Sequence, residues 1–162
     1  MEIINDRMID GLSAEARTLP RKRTNLNFHE GEDDLIQRML NAFEPGSYVQ
    51  PHRHATPPKR EVFIAISGRL LVVFFDDEGR ITSNAVLDQD RGVYGIEIPE
   101  GTWHTVIALE SNTVVYEIKD GPYDMSSDKE FACWAPSENA SDADGYLTGI
   151  INQCMKNEEI TC

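Results

Sequence analysis

Three of the four histidines and one glutamate have types and spacings that suit metal chemistry. His52 and His54 stand one residue apart in "SYVQPHRH", Glu61 follows His54 by seven positions, and His104 closes "PEGTWH". Three imidazoles and a carboxylate are a good donor set for one borderline divalent transition metal such as zinc, iron, manganese or nickel. In an octahedral site these donors leave two positions open for water, substrate or oxygen, which a closed structural site does not need. An H-x-H pair alone says little, because exposed strand histidines are common. The weight falls on Glu61 and on the distant P-x-G-x-x-H.

Strands must bring these residues together. Alternate residues of a strand share a face, so His52 and His54 project to the same side, about 7 Å apart. Glu61 follows the loop "ATPPKR" and opens the next apolar run, so an antiparallel return carries its carboxylate back to the pair. His104 comes just after a tight turn at Pro99-Glu100-Gly101, at the start of another strand. Candidate strands are 47–54, 61–67, 69–76, 80–88, 93–98, 103–109 and 113–119, rich in Val, Ile, Phe and Tyr and broken by turn residues such as Ser67-Gly68 and Asp77-Glu78-Gly79. With no helices between them, they predict an antiparallel sandwich or barrel.

Two helices are expected ahead of this β-region. Ile4, Met8, Leu12 and Ala16 recur every four residues before Pro20. A second helical pattern runs from Asp33 with Leu35, Ile36, Met39, Leu40 and Phe43 on one side, stopped by Glu44-Pro45-Gly46. Beyond Asp124 periodicity is lost, 137–145 reads as a polar loop, and the end reads as a weak helix or frayed tail. The expected organisation is one domain: a helical extension over 1–45, a β-barrel core over 46–120, and a tail over 121–162 packing on the barrel.

Other residues invite a role beside the metal. Tyr48 and Gln50 share the face of His52 and His54, where Tyr48 suits pocket lining and core packing equally. Lys59 points the same way as Glu61 if that strand starts early, to steer an anion or to pair with a surface carboxylate. Arg21, Lys22 and Arg23 form a cationic island, with Asn25, Asn27 and His29 alternating behind it. Lying across a barrel mouth, Arg23 and His29 could hold a phosphate or sugar hydroxyls; the alternative is a solvated cluster balancing Glu30, Glu32, Asp33 and Asp34. Trp103 is expected in the core, Trp134 to pack the tail with Phe131, and Cys133 to be a small buried apolar group.

Composition narrows the partners. With 15 basic against 28 acidic residues and a net charge of −13, general affinity for nucleic acid or an anionic membrane is disfavoured. The runs "VFIAI" and "LLVVFF" are too short to span a bilayer. Three late cysteines without a C-x-x-C, and no signal-peptide pattern, fit a reducing, cytoplasmic compartment.

Gly46, His52, His54, Glu61, Gly68, Pro99, Gly101 and His104 fall on a pattern that resembles the two motifs of the cupin superfamily: G-x5-H-x-H, E-x6-G, then P-x-G-x-x-H. The gap before Glu61 is longer than the motif's, which allows a three-histidine ligand set without it, and Ala108 stands where the motif usually has Asn. Six stretches in order, "RKRTNLNFH", "SYVQPHRH", "FFDDEGR", "GTWHTVIAL", "KDGPYD" and "DKEFACWAP", are further similar to the WbuC family of cupin-fold metalloproteins. The resemblance implies a mainly β, single-domain jelly roll (a double-stranded β-helix) with the two N-terminal helices outside. It implies one divalent metal on His52, His54 and His104, with Glu61, and a homodimer.

That family is encoded among genes for O-antigen and other surface polysaccharides, so the implied ligand is a carbohydrate or sugar nucleotide. Isomerase- or epimerase-type chemistry is one expectation, with Glu61 or His29 moving protons. A non-catalytic carbohydrate binder or sensor is the second, and iron-dependent oxygenation a lesser variant. A proton donor or acceptor other than the ligands, facing the metal, favours catalysis; an apolar cavity favours binding alone.

Overall fold

The computed structural model describes residues 1–158; the last four, which include Cys162 and the end of the expected tail, lie outside the described residues. One antiparallel sheet runs in the order β1 (Arg23–Asn27), β2 (Ile36–Phe43), β9 (Thr113–Asp120), β4 (Glu61–Ser67), β7 (Gly95–Ile98). The other runs β10 (Glu130–Phe131), β3 (His52–Arg53), β8 (His104–Ala108), β5 (Arg69–Phe75), β6 (Ile81–Asp88). The chain crosses between sheets at each step from β2 to β5 and from β6 to β10, which winds the strands into a jelly-roll barrel. Gly68 makes the β4–β5 turn at φ +67°, where a Cβ would stand 2.6 Å from Thr113 Cα, so only glycine fits.

Each sheet is covered on both faces. Phe63, Ala65 and Val115 of the first sheet meet Leu70, Val72, Val106 and Ala108 of the second in the inner core. Helix α1 (Asp6–Thr18) lays Ile9, Leu12 and Ala16 on Leu40, Ala42 and Val114, outside the first sheet. Helix α2 (Ala143–Glu158) lays Leu147, Ile150 and Cys154 on Leu71, Val73, Phe75 and Ile107, outside the second. This double coverage explains the unbroken run Leu70-Leu71-Val72-Val73, every residue of which is fully buried. None of the described helices is long and apolar enough to cross a membrane.

The second N-terminal helix expected from Asp33 is instead β2, paired with both β1 and β9. Its apolar residues are divided between faces, Met39 and Phe43 inward and Leu40 under α1, and a strand buried on both sides loses the alternation that identifies strands. Of the 1–45 segment only α1 is helical. The tail ends in α2, the helical one of the two alternatives expected there, although the helix begins inside the stretch 137–145 read as a loop, and it packs on the barrel. Only 52–53 of the candidate strand 47–54 is regular.

The inner faces grade from dry to polar along the barrel. Ala108, Val106 and His104 follow one another inward on β8, Ala65, Phe63 and Glu61 on β4, and Val115, Glu117 and Lys119 on β9. After β9 the segment 121–129 folds over the polar end. Asp128 fastens it: Lys59 Nζ donates to Oδ1 at 2.7 Å and Lys119 Nζ to Oδ2 at 2.8 Å. All three are buried. Burial alone would raise the Asp128 carboxyl, but Lys119, Lys59 and His54 hold it below its usual range. The stability it contributes is therefore present above the unfolded carboxyl value near pH 4 and lost as pH falls through the folded one. Asp128→Ala strands two buried ammonium groups and should cost about 3–5 kcal/mol in urea unfolding at neutral pH. The gap from wild type should narrow below about pH 4.

Candidate metal centre

Strand pairing assembles the cluster. His52 on β3 lies directly opposite His104 on β8, and their ring centroids are 4.5 Å apart. His54 follows two residues on, its ring 5.3 Å from that of His52. The long "ATPPKR" connection closes on itself: Ala55 bridges Pro58, and Lys59 N donates to His54 O at 3.3 Å. The extra residues are absorbed in that turn, and Glu61 still reaches the histidines. Gly101 N, in the turn before His104, donates to the same His54 carbonyl at 3.0 Å.

One ligand atom from each of His52, His54, Glu61 and His104 lies within 4.8 Å of all the others, and all four side chains are buried. Glu61 Oε1 is 3.0 Å from His54 Nε2, and Oε2 is 2.9 Å from His104 Nε2. The other ring nitrogens face backbone carbonyls: His52 Nδ1 that of Gln50 at 3.0 Å, His104 Nδ1 that of Thr102 at 2.9 Å, and His54 Nδ1 that of Asp128. A carbonyl can only accept, so each Nδ1 carries the proton and each Nε2 turns a lone pair inward. Those lone pairs meet a carboxylate that can also only accept. Despite the short approaches, His54 Nε2 and Glu61 Oε2 have no hydrogen-bond partner. Acceptors converging on acceptors in a buried site call for a cation between them. The residues fit a divalent metal held by three imidazoles and one carboxylate.

The charge states agree. Burial, with the charge of Lys129, pushes the His52 imidazole well below its ordinary value, so it is neutral and able to donate its lone pair.

A cavity of about 480 Å³ opens onto the cluster and is lined by His52, Glu61 and His104. Arg23, Asn25, Asn27 and His29 line it from the β1 side. Arg23 is held by Glu138 at 2.5 Å and by the Tyr48 carbonyl at 2.8 Å, while His29 Nδ1 lies 3.1 Å from Arg38 N. Lys22 donates to the Pro45 carbonyl at 3.4 Å.

Tyr48, Gln50 and Lys59 do not line the cavity. The chain before β3 is irregular, so alternation cannot be counted back from His52. Val49 faces inward there, and Tyr48 packs under the tail with its hydroxyl on Pro136 O. Gln50 is bound to Ala132 O, and Lys59 is consumed by Asp128. Trp103 is core as expected. Trp134 packs on Phe75 and Trp103, whereas Phe131 is half exposed with its ring 6.2 Å from that of His52. Cys133 is exposed, not buried, because it sits in an irregular turn outside the tail's packed face.

Sequence reasoning missed four charged residues at the cavity: Glu117, Lys119, Asp128 and Lys129. Glu117 and Lys119 alternate on β9, a pattern that ordinarily marks the solvent face. Asp128 and Lys129 fall in an irregular segment that carries no signal. Asn41 Nδ2 donates to Glu117 Oε2 at 2.6 Å, and burial and the Glu61 charge raise the Glu117 carboxyl.

Likenesses to solved structures agree with this architecture. Capsular polysaccharide assembling protein CapF from Staphylococcus aureus superposes with a TM-score of 0.56 at 24% identity, over 66% of this chain and 28% of CapF. The chain thus spans less than a third of CapF's length. KdgF from Halomonas sp. gives 0.50 at 17% identity, over 67% of this chain and 86% of KdgF. A cupin superfamily protein from Desulfitobacterium hafniense gives 0.48 at 13% identity, over 60% of this chain and 76% of its own. Among curated proteins none matches by sequence. The two-sheet topology and the CapF and KdgF likenesses show a cupin jelly roll. A family model described as a domain of unknown function, DUF6016, matches residues 4–87, more than half of the chain. The chain belongs to the DUF6016 family.

Proposed function

We propose that this is a metal-dependent cupin enzyme acting on a sugar or nucleotide sugar in surface polysaccharide biosynthesis, by isomerase- or epimerase-type chemistry. The observation that carries the reading is the set of four converging acceptor side chains beside a cavity with its own proton-handling group. His52, His54, His104 and Glu61 would hold the ion, which would lend Lewis acidity toward a carbonyl or hydroxyl oxygen. Glu117 is the group that can move a proton: Asn41 fixes its Oε2, and burial with the Glu61 charge raises its carboxyl above the ordinary range. A cavity with such a carboxyl supports catalysis over binding alone. Asn25, Asn27 and His29 offer the amide and imidazole groups that sugar hydroxyls use.

The polysaccharide context draws on the resemblance to the WbuC family and on the printed description of CapF. A cytoplasmic homodimer belongs to the same reading.

Elemental mass spectrometry of the untagged protein tests the site. Near-stoichiometric metal is expected in wild type and its loss in His52→Ala and His104→Ala, with a smaller loss in Glu61→Ala. Full metal in both histidine variants would refute the ligand set. Zinc, manganese or nickel would direct assays to sugar isomerisation, and iron to oxygen chemistry. With sugar nucleotides followed by NMR, Glu117→Gln should keep its metal and turn over about 100-fold or more slowly. Unchanged turnover would remove Glu117 from the chemistry.

A further inference from the structure

The cations of the cavity differ in whether they are already neutralised. Arg21 and Arg23 both reach Glu138, at 3.1 and 2.5 Å. Lys119 reaches Asp128 at 2.8 Å, as does Lys59 behind it at 2.7 Å. Lys129 lines the same cavity and, among the described residues, has no carboxylate within ion-pair distance. The residue is exposed to solvent where it lines the cavity, and its charge acts on His52, Glu61 and Glu117.

The charge around the site also needs an anion. Lys59, Lys119 and Lys129 balance Glu61, Glu117 and Asp128 one for one, before a metal is counted. A divalent ion then leaves this end of the barrel with two uncompensated positive charges, inside a chain whose net charge is −13. A neutral sugar would leave that excess in place. An acidic one would remove it, and Lys129 is the cation with a free valence for the acid group.

We propose that Lys129 anchors an acidic group of the ligand, so that the cavity takes an anionic sugar, a uronate or a sugar phosphate, in preference to a neutral one. The inference rests on the reading of this cavity as the substrate site. The acid group sits on the Lys129 ammonium, the sugar hydroxyls face the Asn25 and Asn27 wall, and the metal side of the ring is left for chemistry.

Isothermal titration calorimetry with galacturonate, galactose 1-phosphate and galactose tests this on wild type, Lys129→Met and Lys129→Arg, each with its metal content measured. In wild type at least one of the two anions should bind about tenfold or more tightly than galactose, and which one identifies the acid as carboxylate or phosphate. Lys129→Met should lose about tenfold for that anion and leave galactose unchanged, while Lys129→Arg should restore the anion. The proposal is overturned if neither anion binds better than galactose, or if Lys129→Met binds the anion as tightly as wild type. The metal measurement separates the two readings. Lys129-dependent anion binding in metal-free protein would sink the metal enzyme and keep the anchor. Full metal with Lys129-independent binding would do the reverse.

Discussion

Everything at the polar end of this barrel is organised around lone pairs that cannot face one another unaided. Three backbone carbonyls, those of Gln50, Thr102 and Asp128, fix the Nδ1 protons of three imidazoles. The opposite nitrogens are thereby committed to act as acceptors, aimed at a buried carboxylate. Such a set is costly without a cation. Among the described residues the fold accepts that cost in one place, at the ends of β4 and β8 and beside β3, where the inner face stops being apolar. The remaining structure keeps the four side chains in register: two packed sheets, a helix on each outer face, and a turn that absorbs the residues between His54 and Glu61.

How much of this can be read from the residues follows from what each pattern encodes. Strands β4 to β9 are legible because tight turns with glycine or Asp-Asn chemistry delimit short Val/Ile/Phe runs. The four clustered side chains are legible because their spacing is a property of those strands and turns. Strand β2 is not, since Leu40 and Phe43 face opposite sides and both are buried, so no period of two survives. Tyr48 and Gln50 are misplaced by counting in twos, which assumes regular backbone, and Pro51 interrupts it. Glu117 and Lys119 follow the alternation faithfully, but their charge points a reader to solvent when they face the cavity. Asp128 and Lys129 depend wholly on tertiary placement.

The interior shows how an acidic chain can host a cationic site. Its negative charge is spread over the surface, while Lys59 and Lys119 at the polar end are buried and close to the clustered side chains. At such distances and such burial, local charges outweigh a distant excess screened by solvent. The character of the cavity therefore cannot be inferred from the charge of the molecule.

Asp128 reaches back over the first half of the chain, its carbonyl setting the proton on His54 and its carboxylate tying two lysines. A nascent chain that has emerged through His104 possesses all four ligands yet lacks this clasp. Because synthesis delivers the N-terminal portion first, the donor atoms exist before the tautomer of His54 is fixed. Capture of a metal in the final geometry would thus wait for the segment that follows β9, which would make that segment a checkpoint on a centre whose donor side chains all lie earlier.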